Sequence, residues 1–449
     1  MKILSWATAA ANAFGSGLLS VLTTVTQVSS LLLRDVNADT PSRDSTEGVF
    51  QIPFGMTSAS QRNGPRDFIM ATANAVNPDG SQMYPLTIRS NCLATKLIYA
   101  PTTPGQLTPQ VIGVEFLDGQ SLYSADPRFT GATGTPGQVT VSREVILSAG
   151  AFNTPQLLKL SGIGPADELN SFNISVVVDL PGVGTNLQDR YEAGVISAFP
   201  TDFTATTGCT FGRPGGDPCL VRWEDGVDQI TKGPYATNGF ALSALLRSSG
   251  AINTNIDTYV FGGPVAFKGY YPGYAEIAVA DNRHWTWAIL KAHTGNHAGT
   301  VMLKSTDPRD TPDINFNYFG TGTTAGGAAQ RDLNAVVEAI AFARQMAQNM
   351  NPVAGPFQEV YPGPSVNTTA AVEQLVTDNA WGHHASCTCP IGNDTDPMAV
   401  LDSNFRVRGV SGLRVVDASV FPQIPGIFIV VPVYMISEKA ADVILADAN

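Results

Sequence analysis

"SREVILSAGAFNTPQLLKLSGIGP" runs from Ser142 to Pro165. Its first half reads as a buried strand ending at a glycine, because Val145, Ile146 and Leu147 follow one another without the polar alternation of a half-exposed strand. The second half reads as a helix. Asn153 or Thr154 is suited to cap it and Pro155 to open it, where a missing N–H costs nothing, with Gly162 just past its end. Strand, glycine and helix thus follow one another within this one segment.

Upstream, "PLTIRSNCLATKLIYA" alternates polar and apolar positions, and "VIGVEFLDGQSL" follows with a turn at Asp118 and Gly119, which predicts a β-meander. Downstream, "HAGTVMLKSTDPRDTPDINFNYF" reads as strand, turn, strand. "RDLNAVVEAIAFARQMAQNM", Arg331 to Met350, is an amphipathic helix with apolar residues at three-and-four spacing. A last strand, "GLRVVDASV", leads into the helix "PVYMISEKAADVILAD". No solenoid repeat is present. Near the start, "GLLSVLTTVTQVSSLLL", Gly17 to Leu33, reads as an amphipathic or buried helix and falls short of the uninterrupted apolar run of a membrane span.

With 449 residues the chain exceeds what one core usually serves, so two lobes are expected. A hydrophobic content of 43% against 14% charged residues describes a globular protein. The net charge of -12 would repel nucleic acid and anionic lipid, so neither is expected as a partner. "MKILSWATAAANA" makes a poor signal peptide, its apolar core being short and interrupted. Three glycosylation acceptor triplets, at Asn173, Asn367 and Asn393, are compatible with secretion, and Cys209 and Cys219 flank a Gly/Pro-rich loop whose spacing permits a disulfide. Localisation is left open, with the secretory route as the expectation.

"WGHHASCTCPIG", Trp381 to Gly392, holds two of the five histidines and two of the five cysteines. His383, His384, Cys387 and Cys389 lack the paired spacings of a zinc site, so no metal is expected. C-T-C is one residue short of a redox C-x-x-C, and for the cysteines core packing is the alternative. For the histidines the alternatives are a structural imidazole and a base that takes a proton from a substrate.

Taken together these stretches resemble the glucose-methanol-choline flavin oxidoreductases. "GAFNTPQLLKLSGIGP" looks like that family's second signature. "LPGVGTNLQDR" resembles its P-G-V-G-x-N-L-Q-D-H segment, and "TVMLKSTDPRDTPDINFNYF" resembles its substrate-domain strands. "HASCTC" stands where the family has H-x-x-G-T-C, and "VRGVSGLRVVDASVFPQIP" resembles its closing flavin-contact segment. The resemblance implies an α/β (α+β) fold: a partial FAD-binding, Rossmann-like lobe and a substrate lobe with an antiparallel sheet. It divides the chain into an unassigned segment 1–34, a lead-in 35–86, part of the FAD lobe at 87–190, the substrate lobe at 191–401 and a return to the FAD lobe at 402–449.

The resemblance also implies FAD as cofactor, an alcohol as substrate and His384 as the base, with His383 pointing elsewhere. It assigns cofactor contacts to Ala94, Ser148, Gly150, Asp417, Ala418, Ile429 and Val430. The position where the family carries a second histidine or an asparagine falls on Phe428, and a phenyl ring cannot hydrogen-bond an alkoxide. The family's opening G-x-G-x-x-G turn is not found. Its nearest imitation is "FGSGLLS", Phe14 to Ser20, and more than about a hundred residues are expected to be missing before Asp35, including the dinucleotide turn. The chain as given is therefore expected to hold FAD weakly or not at all and to expose apolar surface near Gly150 and Phe152. Two rival readings follow from these departures: an inactive relative serving as a binding module, and a non-redox cyclase using His384. Tyr270, Tyr271, Tyr274, Trp285 and Trp287 are candidates for an aromatic pocket wall.

Overall fold

The strand expected at Val145–Leu147 forms, and it pairs in parallel with Leu413–Val415, register Val145 to Leu413. The two stretches that carry these strands thus meet in one sheet. In the computed structural model, residues 1–18, 25–101, 105, 108–319, 325–350 and 355–448 are described. They form two compact units. One comprises Met1–Ile88, Tyr191–Ala292 and Arg331–Trp381; the other comprises Arg89–Arg190, His293–Gln330 and Gly382–Asn449.

The first unit is built on a six-stranded antiparallel sheet. Its order is Gly48–Phe50, Leu242–Leu246, Thr258–Gly263, His284–Lys291, Tyr191–Ala198 and Gln358–Tyr361. Trp285 and Trp287 are fully buried in its core, so they are not a pocket wall. Trp6, from the helix Lys2–Ala13, stacks on Trp285 at 5.6 Å and meets Trp287 edge-on at 5.5 Å. The helix Lys2–Ala13 is therefore a core element of this unit, since burying three indoles removes a large apolar area from water. The amphipathic helix is observed at Ala328–Gln348, with Val336, Ala339, Ile340 and Ala343 buried at the expected spacing. Val25–Leu32 is helical, whereas Leu19 and Ser20 of "FGSGLLS" lie outside the described residues. Cys209 and Cys219 form the disulfide that their spacing permits. Tyr270, Tyr271 and Tyr274 form an aromatic cluster with Phe267, and the first two are exposed.

The second unit carries the β-meander: Cys92–Tyr99, Val111–Asp118 and Thr135–Thr140 pair as an antiparallel three-stranded sheet. Thr300–Met302 pairs with Asp313–Asn315 as strand, turn, strand, and this hairpin packs within the second unit rather than with the six-stranded sheet. Leu97, Leu147, Leu157, Leu158, Val400 and Val415 belong to one continuous core that fastens the meander, the parallel strands and the helix Gly150–Leu160 together. A buried ion pair, Lys159 to Glu168 at 2.6 Å, closes its edge, and Lys159 also donates to the Val301 carbonyl at 2.7 Å.

Candidate active site

Parallel strands deliver their carboxyl ends to the same side of a sheet, the customary ligand-binding side of α/β folds. Here those ends are Ser148–Gly150 and Asp417. Gly150 has a left-handed φ of +84°, which a side chain would oppose. The helix begins there, at Gly150–Leu160, five residues before Pro155 rather than at it. The expected caps at Asn153 and Thr154 are corrected by a distant group. The Asp417 carboxylate accepts from the Gly150 N–H at 3.0 Å and from the Thr154 hydroxyl at 2.6 Å, and its other oxygen accepts from the Ser419 N–H at 2.7 Å. Pro155 consequently lies inside the helix, where it cannot donate to the carbonyl four residues back. That carbonyl, of Ala151, accepts instead from the Thr388 hydroxyl at 2.7 Å.

Thr388 belongs to the histidine stretch, which is extended. Gln188 and Ser386 are bridged as antiparallel partners, and Asn186 donates through its side chain to the Cys387 carbonyl. His383 is exposed and His384 is only 6% exposed, the alternation expected of an extended segment. The His384 backbone N–H donates to Asp189 Oδ1 at 2.7 Å, while Asp189 Oδ2 accepts from the Tyr318 hydroxyl at 3.0 Å. Gly382 is required beneath that carboxylate, since a Cβ there would collide with Asp189 Oδ2. The ring of Phe428 packs 5.7 Å from that of His384, centroid to centroid.

The cysteines are not a redox pair. Both are free and fully buried. Burial pushes the Cys387 thiol up to about 12, against a hydrogen bond from Ser386, and burial likewise raises Cys389 strongly. Cys387, where the resembled pattern has glycine, sits at φ +75°.

The remaining candidates fall in the same unit. Ala94 is exposed on the strand Cys92–Tyr99, beside a ladder irregularity. Ser148 is exposed at its strand end. Ala418 opens a short 3-10 turn after Asp417, and Val430, 48% exposed, opens the helix Val430–Ala448. Ile429 packs against Cys387, Phe421 and Ile424. Asp189, Arg190, Tyr318, Gly382 and Thr388 are the site residues that sequence reasoning did not single out. A cavity lined by Met1, Lys2, Ile3, Thr201 and Phe203 belongs to the other unit and borders none of the candidates.

Comparison with known proteins decides the family. The GMC oxidoreductase description matches in two blocks, residues 35–192 and 295–437. The chain belongs to the GMC oxidoreductase family. Relatives include an oxygen-dependent choline dehydrogenase of Photobacterium profundum, 32% identical over 413 residues, which covers 91% of this chain and 64% of that protein. The mitochondrial choline dehydrogenase of Mus musculus is 30% identical over 420 residues, covering 90% of this chain and 60% of its relative. The chain therefore spans under two thirds of the length of these relatives. The fold is shared with the formate oxidase of Aspergillus oryzae RIB40, at 21% identity and a TM-score of 0.73 over 99% of this chain and 70% of that one. It is shared also with an FAD-dependent oxidoreductase from Chaetomium thermophilum, at 21% identity and a TM-score of 0.68 over 99% and 72%.

FAD is the cofactor of the family to which the chain belongs. The residues present fit its approach at one place in particular. At Gly150 the space that a Cβ would occupy is open to 4 Å, and the flanking Ser148 and Ala149 are exposed, so backbone is presented to a large planar group without obstruction. The helix amino end is less suited to the cofactor's diphosphate, because the Asp417 carboxylate already meets that end of the dipole. Ser148 and Gly150 at one strand end and Ala418 beyond the other stand on the customary ligand side of the two parallel strands.

Proposed function

We propose that this protein oxidises the CH–OH group of an alcohol donor, with His384 as the base and FAD as the hydride acceptor. The observation that carries the reading is the seat of His384: a nearly buried imidazole whose backbone is fixed by the Asp189 carboxylate, on a segment tied by Thr388 to the helix that starts at Gly150. Alcohol oxidation must remove a hydroxyl proton and a hydride, and a neutral imidazole held rigidly is the group suited to the proton. When bound, FAD supplies the two-electron acceptor. Phe428 gives the second wall of the site. It excludes water and presents an apolar face, so the carbinol carbon is held by contact and His384 alone handles the proton.

The test is direct. In flavin-loaded protein, His384→Ala should lower the rate of flavin reduction by roughly 100- to 10,000-fold and leave flavin bound, whereas His383→Ala does much less. A His384→Ala protein that reduces its flavin at the parent rate sinks the assignment. Because the relatives named above are choline dehydrogenases, choline is the first donor to assay, beside primary alcohols with apolar substituents that suit a phenyl wall.

A further inference from the structure

Two adjacent charged residues, Asp189 and Arg190, are buried to 2% and 0% exposure at the end of "LPGVGTNLQDR". Burying charge is costly unless each group is engaged by fixed partners, so a stable fold keeps such residues for what they hold. Asp189 Oδ1 accepts from the backbone N–H of His384 at 2.7 Å and of Arg190 at 2.8 Å. The Arg190 guanidinium reaches the opposite way: its Nη2 donates to the carbonyls of Pro425 at 2.5 Å and Gly426 at 2.8 Å. Phe428 lies two residues further on. Gln188, the residue before, works in the same direction, accepting from the Ile424 N–H at 3.1 Å and donating to the Pro422 carbonyl at 3.3 Å. Gly426 has φ +68°, so the segment turns sharply where the guanidinium grips it.

We propose that Asp189 and Arg190 are positioning residues of the histidine site: Asp189 seats the His384 backbone, and Arg190 seats the Pro425–Gly426 turn that sets the Phe428 ring against the imidazole. A guanidinium is the fitting donor for this task. The two N–H bonds of its planar Nη2 hold two carbonyls at fixed angles, and the group stays charged at any working pH. The resembled family segment ends in histidine where this chain has Arg190, and the family's polar partner is here Phe428. Arg190 grips the turn two residues before Phe428, so the two departures are read as a matched pair: an apolar ring that cannot anchor itself by a hydrogen bond is held through the backbone that leads to it.

The test uses the full chain labelled with [ε1-13C]histidine, whose five histidines give five resolvable signals, assigned by single His→Gln variants. The Phe428 ring current displaces the His384 signal, which Phe428→Leu removes. Arg190→Met should produce the same movement of His384 while His284, His293 and His297 stay in place; Arg190→Lys, which keeps the charge but not the fixed directions of the planar nitrogen's N–H bonds, should produce part of it. Asp189→Ala should move the His384 signal, and Asp189→Asn, which keeps the acceptor, should largely restore it. A folded Arg190→Met chain with its His384 signal at the parent position overturns the role of Arg190, and the same result for Asp189→Ala overturns that of Asp189. If the methionine variant does not fold, an unmoved His384 signal in Arg190→Lys overturns the proposal and an intermediate one supports it. A kinetic arm rests on the reading of His384 as base: in the flavin-loaded protein, Arg190→Met and Asp189→Ala should each slow flavin reduction by about 100-fold, the usual cost of a misplacement near 1 Å. Should His384→Ala prove harmless, that arm lapses with the functional reading, and the histidine signals still decide the positioning roles.

Discussion

Cys387 is a side chain placed where the backbone asks for none. At φ +75° an L-residue pays about 1 kcal/mol or more relative to glycine. Ordinary core logic ranks Cys387→Ala above Cys387→Gly in stability; here the order should invert, with the glycine variant the more stable of the two by about 1 kcal/mol in urea unfolding. A glycine variant less stable than the alanine one would show that the φ angle relaxes. Gly382 makes the opposite case. Its backbone is ordinary, but Asp189 lies over it, so Gly382→Ala should displace the carboxylate and with it His384, slowing flavin reduction by about 100-fold with flavin still bound. His384 was legible from its motif and from alternation along an extended segment. Asp189 and Arg190 were not, because charged residues read as surface until a structure shows them buried; the segment "LPGVGTNLQDR" carried them only as part of a resemblance, with no role attached.

At the scale of elements, strands were read well and helix starts poorly. The parallel strands, the meander and the long amphipathic helix follow from periodicity, which is local. The start of the helix Gly150–Leu160 is set by Asp417, which lies 267 positions away in sequence, and no local pattern reports such a cap. Pro155 pointed to a helix start because it normally avoids the interior; it is tolerated there because Thr388 supplies the donor that proline cannot. Thr388→Val should therefore leave the Ala151 carbonyl buried without that donor and lower stability by about 1–3 kcal/mol, read as a shift of the urea midpoint without a change in slope. Thr388→Ser, which keeps the hydroxyl, should recover most of the loss.

At the scale of the molecule, the sequence implied two lobes, one α/β and one with an antiparallel sheet, and both kinds of sheet are present. Where the chain passes between units is less legible: 293–330 and 382–401 pack with the α/β unit although they follow the antiparallel strands in sequence, since packing partners depend on topology rather than on neighbours along the chain. Thiol chemistry reports on the folded whole. With Cys209 and Cys219 joined and Cys387 and Cys389 buried as neutral thiols, only Cys92 should react with an aromatic disulfide reagent at pH 8, and three thiols should react in urea. Near Gly150 and Phe152, where apolar surface is expected, Phe152 is half-buried against Phe316 and Ile146 is 43% exposed. Another exposed apolar stretch lies on the last helix, where Val430, Val431, Tyr434 and Met435 are between 40% and 67% exposed. Positions i, i+1, i+4 and i+5 share one face of a helix, so these four side chains form a continuous apolar stripe over its first two turns. A stripe of that kind binds a hydrophobic dye. The parent chain should enhance the fluorescence of an anilinonaphthalene dye, and Val431→Glu with Met435→Glu should abolish most of the enhancement. Thermal stability should change little, about 0.5 kcal/mol or less per site, since neither side chain is packed in a core. Dye binding that survives both charges would place the apolar surface on some other part of the molecule.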